Sequence, residues 1–371
     1  MIHLRKPARA TTAFLLTAIV SMVLACSPAR DGATTTTSSG AATGGVVRLQ
    51  GAGATFPNPL YQKWLSEYGK TNANAQIDYQ SVGSGAGIKQ IQEQTIDFGG
   101  TDKPMNDEEL KKAPGELIHI PTVLGAVVVT YNLQGVAEPL SFSPDVLTDI
   151  FLGKITKWND ARIKADNANI NLPDAPITVV HRSDGSGTTA VFTDYLSKVS
   201  PEWKEKVSTG VSVSWPTGQG GKGNEGVTAQ VKAQPNTIGY VELAYAEQNK
   251  LPIARLKNKA GQFVTPTLDA VTAAAAESLA ATPEDMRVSI TDAAGASAYP
   301  IASYTYILVY KDQKDAAKGK ALVDFLWWAV HDGEKYTKDL LYAPLPAEVV
   351  RRVETKLNSV TSSGKPLRFA Q

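Results

Sequence analysis

The sequence predicts an α/β protein of about two domains, with mainly parallel sheets layered against helices. Three observations carry this. The chain has 371 residues, of which 43% are apolar, enough for a sizeable core at roughly 150 residues per domain. Segments with the two-residue alternation of strands are interleaved with segments of helical spacing. Glycine-rich turns leave the strand-like segments and run into helices, as they do in open α/β sheets, where ligands bind beyond the carboxyl ends of the strands.

The body begins at Val46. Residues 58–70 place Leu60, Tyr61, Trp64, Leu65 and Tyr68 at helical spacing. Residues 76–82 alternate like a strand, and 87–94 read as a helix. Residues 118–131, rich in Val, Ile and Thr, read as a strand with an interruption expected at Pro121. Residues 144–152 form a short helix, with Ser143 as its cap and Pro144 at the first helical position. A strand over 177–181 leads to a helix over 187–198, and a short strand is expected at 211–215. An Ala-rich helix covers 268–281, a strand 304–310, and a helix with an aromatic face (Phe325, Trp327, Trp328) 318–331. No internal repeat is visible.

Composition excludes several classes. Lys+Arg number 37 against 36 Asp+Glu, so no general field attracts nucleic acid or an acidic polymer. One cysteine rules out an internal disulfide, and with only His3, His119, His181 and His331 beside it no metal site is expected. No cofactor motif stands out either.

Residues 1–25 read as a signal peptide. Arg5, Lys6 and Arg9 precede an apolar run from Ala13 to Ala25, which falls short of the roughly 20 residues a membrane span needs. The run ends in Val23-Leu24-Ala25-Cys26, which resembles a bacterial lipobox whose cysteine becomes the lipidated first residue. An ordinary signal peptide leaving Cys26 as a spare thiol is the alternative. Cleavage before Cys26 removes three cations and changes the net charge from +1 to −2. Residues 26–45, almost free of bulky apolar side chains, then form a flexible tether. An exported protein, in the periplasm or at the cell surface and held to a membrane through Cys26, is expected.

Four segments have the chemistry to hold an oxyanion. Gly51-Ala52-Gly53-Ala54-Thr55-Phe56-Pro57 lets backbone N–H groups approach a ligand and adds the Thr55 hydroxyl, although such a turn is commonly only a turn. Ser81-Val82-Gly83-Ser84-Gly85-Ala86-Gly87 joins a strand to a helix and makes an anion nest or a capped turn. Asp97-Phe98-Gly99-Gly100-Thr101-Asp102 places Asp102 on a loop, where it either reaches a ligand or caps the helix that starts near Asn106. His181-Arg182-Ser183-Asp184-Gly185-Ser186-Gly187-Thr188-Thr189 is the fullest: a guanidinium fork, hydroxyls and backbone donors within a few residues, with Asp184 placed to hold Arg182.

Catalysis has less support. Neither Ser84 nor Ser186 has the G-x-S-x-G frame, because Val82 and Asp184 stand in the first glycine's place. His181, Asp184 and Ser186 are too close in sequence for a triad whose members normally converge from separate parts of a fold. Gly218-x-Gly220-x-x-Gly223 matches a nucleotide fingerprint only formally, and is expected to be a flexible or substrate-contacting loop.

Together and in order, these segments resemble the phosphate-binding proteins of bacterial phosphate-specific ABC transporters. GAGATFP at 51–57, KQIQEQTIDFGGTD at 89–102, FLGKITKWND at 151–160, RSDGSGTTAVFTDYL at 182–196, GGKGNEGV at 220–227, TIGYVELAYA at 237–246 and SSGKPL at 362–367 all look like that family. The resemblance implies a two-lobed periplasmic-binding-protein (type II) fold, with ligand in the cleft between lobes joined by crossover strands. Lobe one is then 46–122 plus 299–371 and lobe two 123–298, with crossings near Pro121 and Pro300. It implies a non-enzymatic receptor, expected to be a monomer, whose partners are inorganic phosphate and the permease subunits of the importer. Phosphate contacts would come from Thr55, Phe56, Ser84, Arg182, Ser186, Gly187 and Thr188 as donors and from Asp102 as the one acceptor, with Asp184 orienting Arg182. Two positions depart from the family pattern. Lys103 follows the acceptor, where it either attracts anions or points to solvent, and Gly85-Ala86 varies the usual serine-glycine pair.

Overall fold

The computed structural model describes residues 45–369. Cys26, the signal peptide and most of the tether therefore lie outside the described residues.

The centre is an eight-stranded sheet. Its order from one edge is Ala75–Ser81, Val47–Gly53, Phe98–Thr101, Ala302–Tyr310, Leu117–Asn132, Thr237–Glu242, Thr178–Arg182 and Gln219–Gly221. The 16-residue strand Leu117–Asn132 is the key to its shape. Its first part pairs with Ala302–Tyr310, and its second part, from Val127 on, pairs with Thr237–Glu242. Two half-sheets thus share one strand. All but the last of its residues are buried, which is why LIHIPTVLGAVVVTYN reads as a continuous apolar run rather than an alternating one.

The expectation of mainly parallel pairing needs correction, because the sheet is mixed. The four pairings of the outer strands are parallel, as βαβ crossovers require. Every pairing of Leu117–Asn132 or Ala302–Tyr310 is antiparallel. Pro121 does not interrupt its strand. Tyr306 pairs with Pro121 and Thr305 with Val123, so the register slips by one residue at Thr122. A bulge is where a sheet accommodates a residue without an N–H.

Most helices fall where expected: Asn58–Thr71, Gly187–Val199, Leu268–Ser278 and Ala316–Val330. The aromatic face of the last packs as a core face, with Phe325 and Trp328 each 5.3 Å from the Tyr68 ring. Three local expectations fail. The helix expected from residue 87 runs Ser84–Gln92, with Gly83 at φ 95° as its N-cap. Ser143 precedes the helix Pro144–Phe151 without capping it, and its hydroxyl donates to Asp166 Oδ2 at 2.7 Å instead. No strand forms at 211–215. There Trp215 stacks on His181 at 4.8 Å and on Tyr240 at 5.7 Å, so this residue serves an aromatic cluster rather than a strand.

Among the described residues, no helix is long and apolar enough to cross a membrane.

Candidate functional site

Five parallel strands end at one place. Beyond Val47–Gly53 come Thr55 and Phe56; beyond Ala75–Ser81, Ser84; beyond Phe98–Thr101, Asp102. Thr178–Arg182 ends on Arg182 itself and leads to Ser186, and Gln219–Gly221 leads to Asn224. Ser84 and Gly187 are the first residues of their helices, and Asn224 is the second of Gly223–Ala233. Helix N-termini therefore converge on the site, and their partial positive charge favours an anion.

Arg182 is 3% exposed. Its Nε donates to Asp184 Oδ1 at 2.7 Å and its Nη2 to Asp184 Oδ2 at 2.6 Å, a bidentate pair. Nη1 is left pointing to Thr188 Oγ1 at 3.4 Å. Asp184 Oδ1 also accepts from the Gly223 N–H at 3.0 Å. Burial opposes the charge of Asp184, but the Arg182 hydrogen bonds and charge, with the Gly223 N–H, hold its carboxyl below its usual range. Asp184 thus grips two of the three guanidinium nitrogens of Arg182. Ser186 is the N-cap of Gly187–Val199, its Oγ accepting from Thr189 N at 2.9 Å.

Asp102 faces this array. It is 1% exposed. Thr305 Oγ1 donates to its Oδ1 at 2.8 Å, and Ser84 Oγ lies 3.5 Å from its Oδ2. Burial pushes its carboxyl up to about 7, against the lowering pull of the Thr305 hydroxyl, the Arg182 charge and the Ser84 hydroxyl. It does not cap the following helix; Asn106 does, in a capping box with Glu109. Lys103 does not stand free, since its Nζ lies 2.8 Å from Glu109 Oε2.

The two groups of residues touch. A Cβ on Gly187 would collide with Ser84 Oγ and Asp102 Oδ2, so only glycine lets this helix start approach them. The backbone of Thr55 and Phe56 is pinned from behind: Tyr245 donates to Thr55 O at 2.6 Å and Tyr342 to Phe56 O at 2.7 Å. Tyr342 also lies 3.1 Å from Glu242 Oε2. Burial pushes the Glu242 carboxyl well above its usual range, against the lowering pull of the Ala244 N–H and the Tyr342 hydroxyl. Arg182 and Asp184 offset each other's charge, so the site would hold an anion chiefly through hydrogen bonds and helix dipoles.

All eight expected contact residues and Asp184 come together here. His181 does not take part. Its Nδ1 lies 3.0 Å from Arg182 O, and no triad with Asp184 and Ser186 forms. The glycine motif at 218–223 is not a loop as expected: Gln219–Gly221 is an edge strand and Gly223 opens a helix. Sequence reasoning missed Asn224, Thr305, Glu242, Tyr245 and Tyr342. Asn224 had a signal, since a glycine-rich turn into a helix is the pattern that marked the other segments. Among the described residues, no group of three or more His, Cys, Asp or Glu is placed to hold a metal.

A sequence profile described as PBP superfamily domain matches residues 31–330. The chain belongs to the PBP superfamily. Among its curated relatives is the phosphate-binding protein PstS of Xylella fastidiosa strain Temecula1, 49% identical over 310 residues, covering 83% of this chain and 84% of that one. Another is the phosphate-binding protein PstS of Pasteurella multocida strain Pm70, 48% identical, covering 86% and 93%. Among solved structures, a phosphate-binding protein from Stenotrophomonas maltophilia superposes with a TM-score of 0.65 at 21% identity, covering 83% of this chain and 93% of that one. This PBP-superfamily chain has the periplasmic-binding-protein fold, and these relatives are named as binding proteins rather than enzymes.

Proposed function

We propose that this protein is an inorganic phosphate-binding receptor that delivers phosphate to an ABC-type importer. Relatives named phosphate-binding protein at 48–49% identity support this, and one observation in the site carries it. Asp102 is a buried carboxyl, held on one oxygen by Thr305 and set against an array of donors. Phosphate near neutral pH keeps a proton to share with a carboxylate, and sulfate does not. A donor-only site would suit either anion; the added acceptor selects the protonated one.

In this proposal Thr55, Phe56, Ser84, Ser186, Gly187, Thr188 and Arg182 donate to the phosphate oxygens and Asp102 accepts its proton. The half-sheets on either side of Leu117–Asn132 are the two lobes, and closing them excludes water from the anion. The receptor works as a monomer outside the cytoplasm, docks on permease subunits, and is anchored by diacylation of Cys26. Two chains are needed because one gives only marginal membrane binding. Cys26→Ser is expected to move the protein from the membrane fraction to the soluble exported fraction. A wild-type protein that is already soluble, with a free thiol, overturns the anchor.

The test of function is a calorimetric titration of the purified protein with inorganic phosphate at pH 8, where Asp102 is a carboxylate, repeated in millimolar sulfate. Tight binding unaffected by sulfate is expected. Equal binding of the two anions overturns the assignment.

A further inference from the structure

Asn224 is 0% exposed, and its amide is used on every side. The Glu242 N–H donates to Asn224 Oδ1 at 3.0 Å. That contact fixes the amide's orientation, so Nδ2 must face the other way. There it donates to Thr55 Oγ1 at 2.8 Å and to Thr188 Oγ1 at 3.1 Å. One side chain therefore links hydroxyls from two segments of the site that are far apart in sequence.

The consequence lies in the protons. A hydroxyl oxygen has two lone pairs and one hydrogen. Thr55 Oγ1 accepts from both Asn224 N, at 3.3 Å, and Asn224 Nδ2. Thr188 Oγ1 accepts from Asn224 Nδ2 and from Arg182 Nη1. With their lone pairs engaged, each hydroxyl has only its hydrogen left to offer. A threonine hydroxyl is otherwise indifferent, able to donate to an anion or to turn and accept from something else.

We propose that Asn224 is a positioning residue that sets the polarity of the site: it makes the Thr55 and Thr188 hydroxyls obligate donors and so prepares them for a fully deprotonated oxyanion edge. This rests on the reading of the site as a phosphate site. Both Asn224 Nδ2 hydrogens are spent on the two hydroxyls, so it acts through them. An aspartate here keeps the shape but reverses the logic. Its second oxygen accepts from the two hydroxyls, turns their hydrogens away from the ligand, and adds a negative charge.

The experiment titrates wild type, Asn224→Asp and Asn224→Ala with inorganic phosphate at pH 8 and pH 5, alongside thermal melts of each anion-free protein. At pH 8, Asn224→Asp is expected to bind roughly 100-fold more weakly than wild type and Asn224→Ala about tenfold more weakly. Burial at this fully enclosed position raises the aspartic acid above its ordinary value, so that at pH 5 it is expected to regain a proton to donate, and the ratio of Asn224→Asp to wild type narrows while that of Asn224→Ala stays constant. Variants that bind like wild type overturn the inference. So do losses equal in the two variants and unchanged by pH, which would make Asn224 a packing residue. If Asn224→Asp does not fold, a cycle of Asn224→Ala with Thr188→Val carries the test. Less-than-additive losses support the inference, and additive ones overturn it. A wild type that fails to bind phosphate removes the functional reading and the inference with it, whereas normal wild-type binding isolates the inference.

Discussion

The backbone N–H of Gly85 donates to the carbonyl oxygen of Gly185 across 2.9 Å. Gly85 is the second residue of the helix that Ser84 opens, and Gly185 directly precedes the cap Ser186, so this bond fastens one side of the site to the other. A Cβ on Gly85 would sit 3.1 Å from the Gly185 Cα, tighter than ordinary contact.

Gly85→Ala is therefore expected to weaken phosphate binding about tenfold by strain at this contact, of order 1 kcal/mol. The loss should appear in the dissociation rate, because the contact belongs to the fastened state. Stopped-flow release with an unchanged dissociation rate would remove this role from the Gly85–Gly185 bond.

Arg182→Lys is expected to weaken phosphate binding by roughly 1–3 kcal/mol. Lysine supplies a charge but cannot hold both Asp184 oxygens while leaving a donor directed at Thr188. Calorimetry giving the wild-type affinity would place Arg182 outside the pocket.

Asp102 gives two pH predictions. Its carboxyl is raised from 3.8 to about 7 in the folded protein, so the folded state binds its proton more tightly than the unfolded state. That advantage is complete below the unfolded value and is lost as pH rises through about 7. Anion-free wild type should thus lose melting temperature relative to Asp102→Asn as pH climbs through this window, and a constant difference would contradict the shift. In binding, the carboxylate rejects sulfate above about pH 7, whereas the protonated acid donates to either anion. Competition by sulfate against labelled phosphate should grow as pH falls in wild type and be present throughout in Asp102→Asn.

His119 predicts acid sensitivity elsewhere in the fold. Its Nε2 accepts from the Met105 N–H at 2.9 Å. Burial, helped by the charges of Arg287, Lys356 and Lys103 and opposed by Asp285, pushes its imidazole down from 6.5 to about 3. A depressed value means the unfolded chain binds the proton first, so this contribution is present above about pH 6.5 and is lost as pH falls toward 3. His119→Gln can keep an acceptor without titrating. Urea unfolding should show a shallower loss of stability for this variant between pH 6.5 and 4, and parallel losses would exclude His119.

The site was legible in the sequence wherever its pieces were local. Each of the four segments is a small-residue turn between a strand and a helix, and the geometry follows from that grammar. Thr305 had no such mark: it meets Asp102 from the middle of a strand 203 residues away. The start of Ser84–Gln92 was hidden because Gly83, Gly85 and Gly87 are poor helix formers. Packing explains the last of these, since a Cβ on Gly87 would lie 2.6 Å from the Gly53 Cα. Alternation of strands and helices correctly gave the parallel outer strands. It carried no information on Leu117–Asn132 and Ala302–Tyr310, whose directions are set by passage between half-sheets.

The strand Leu117–Asn132 belongs to both half-sheets at once, and this bears on how the chain folds. Neither half can be excised with its sheet intact, because each would take or forfeit a central strand of the other. The outer strands assemble through near-neighbour βαβ units, but completing the first half, and so linking its outer strands to the shared strand, requires Ala302–Tyr310 to return across most of the chain. That closure has high contact order and is expected to come late. Once it is made, loss of either half exposes the unpaired edge of the shared strand. Unfolding should therefore be a single transition, with the site assembled in the same step that completes the sheet.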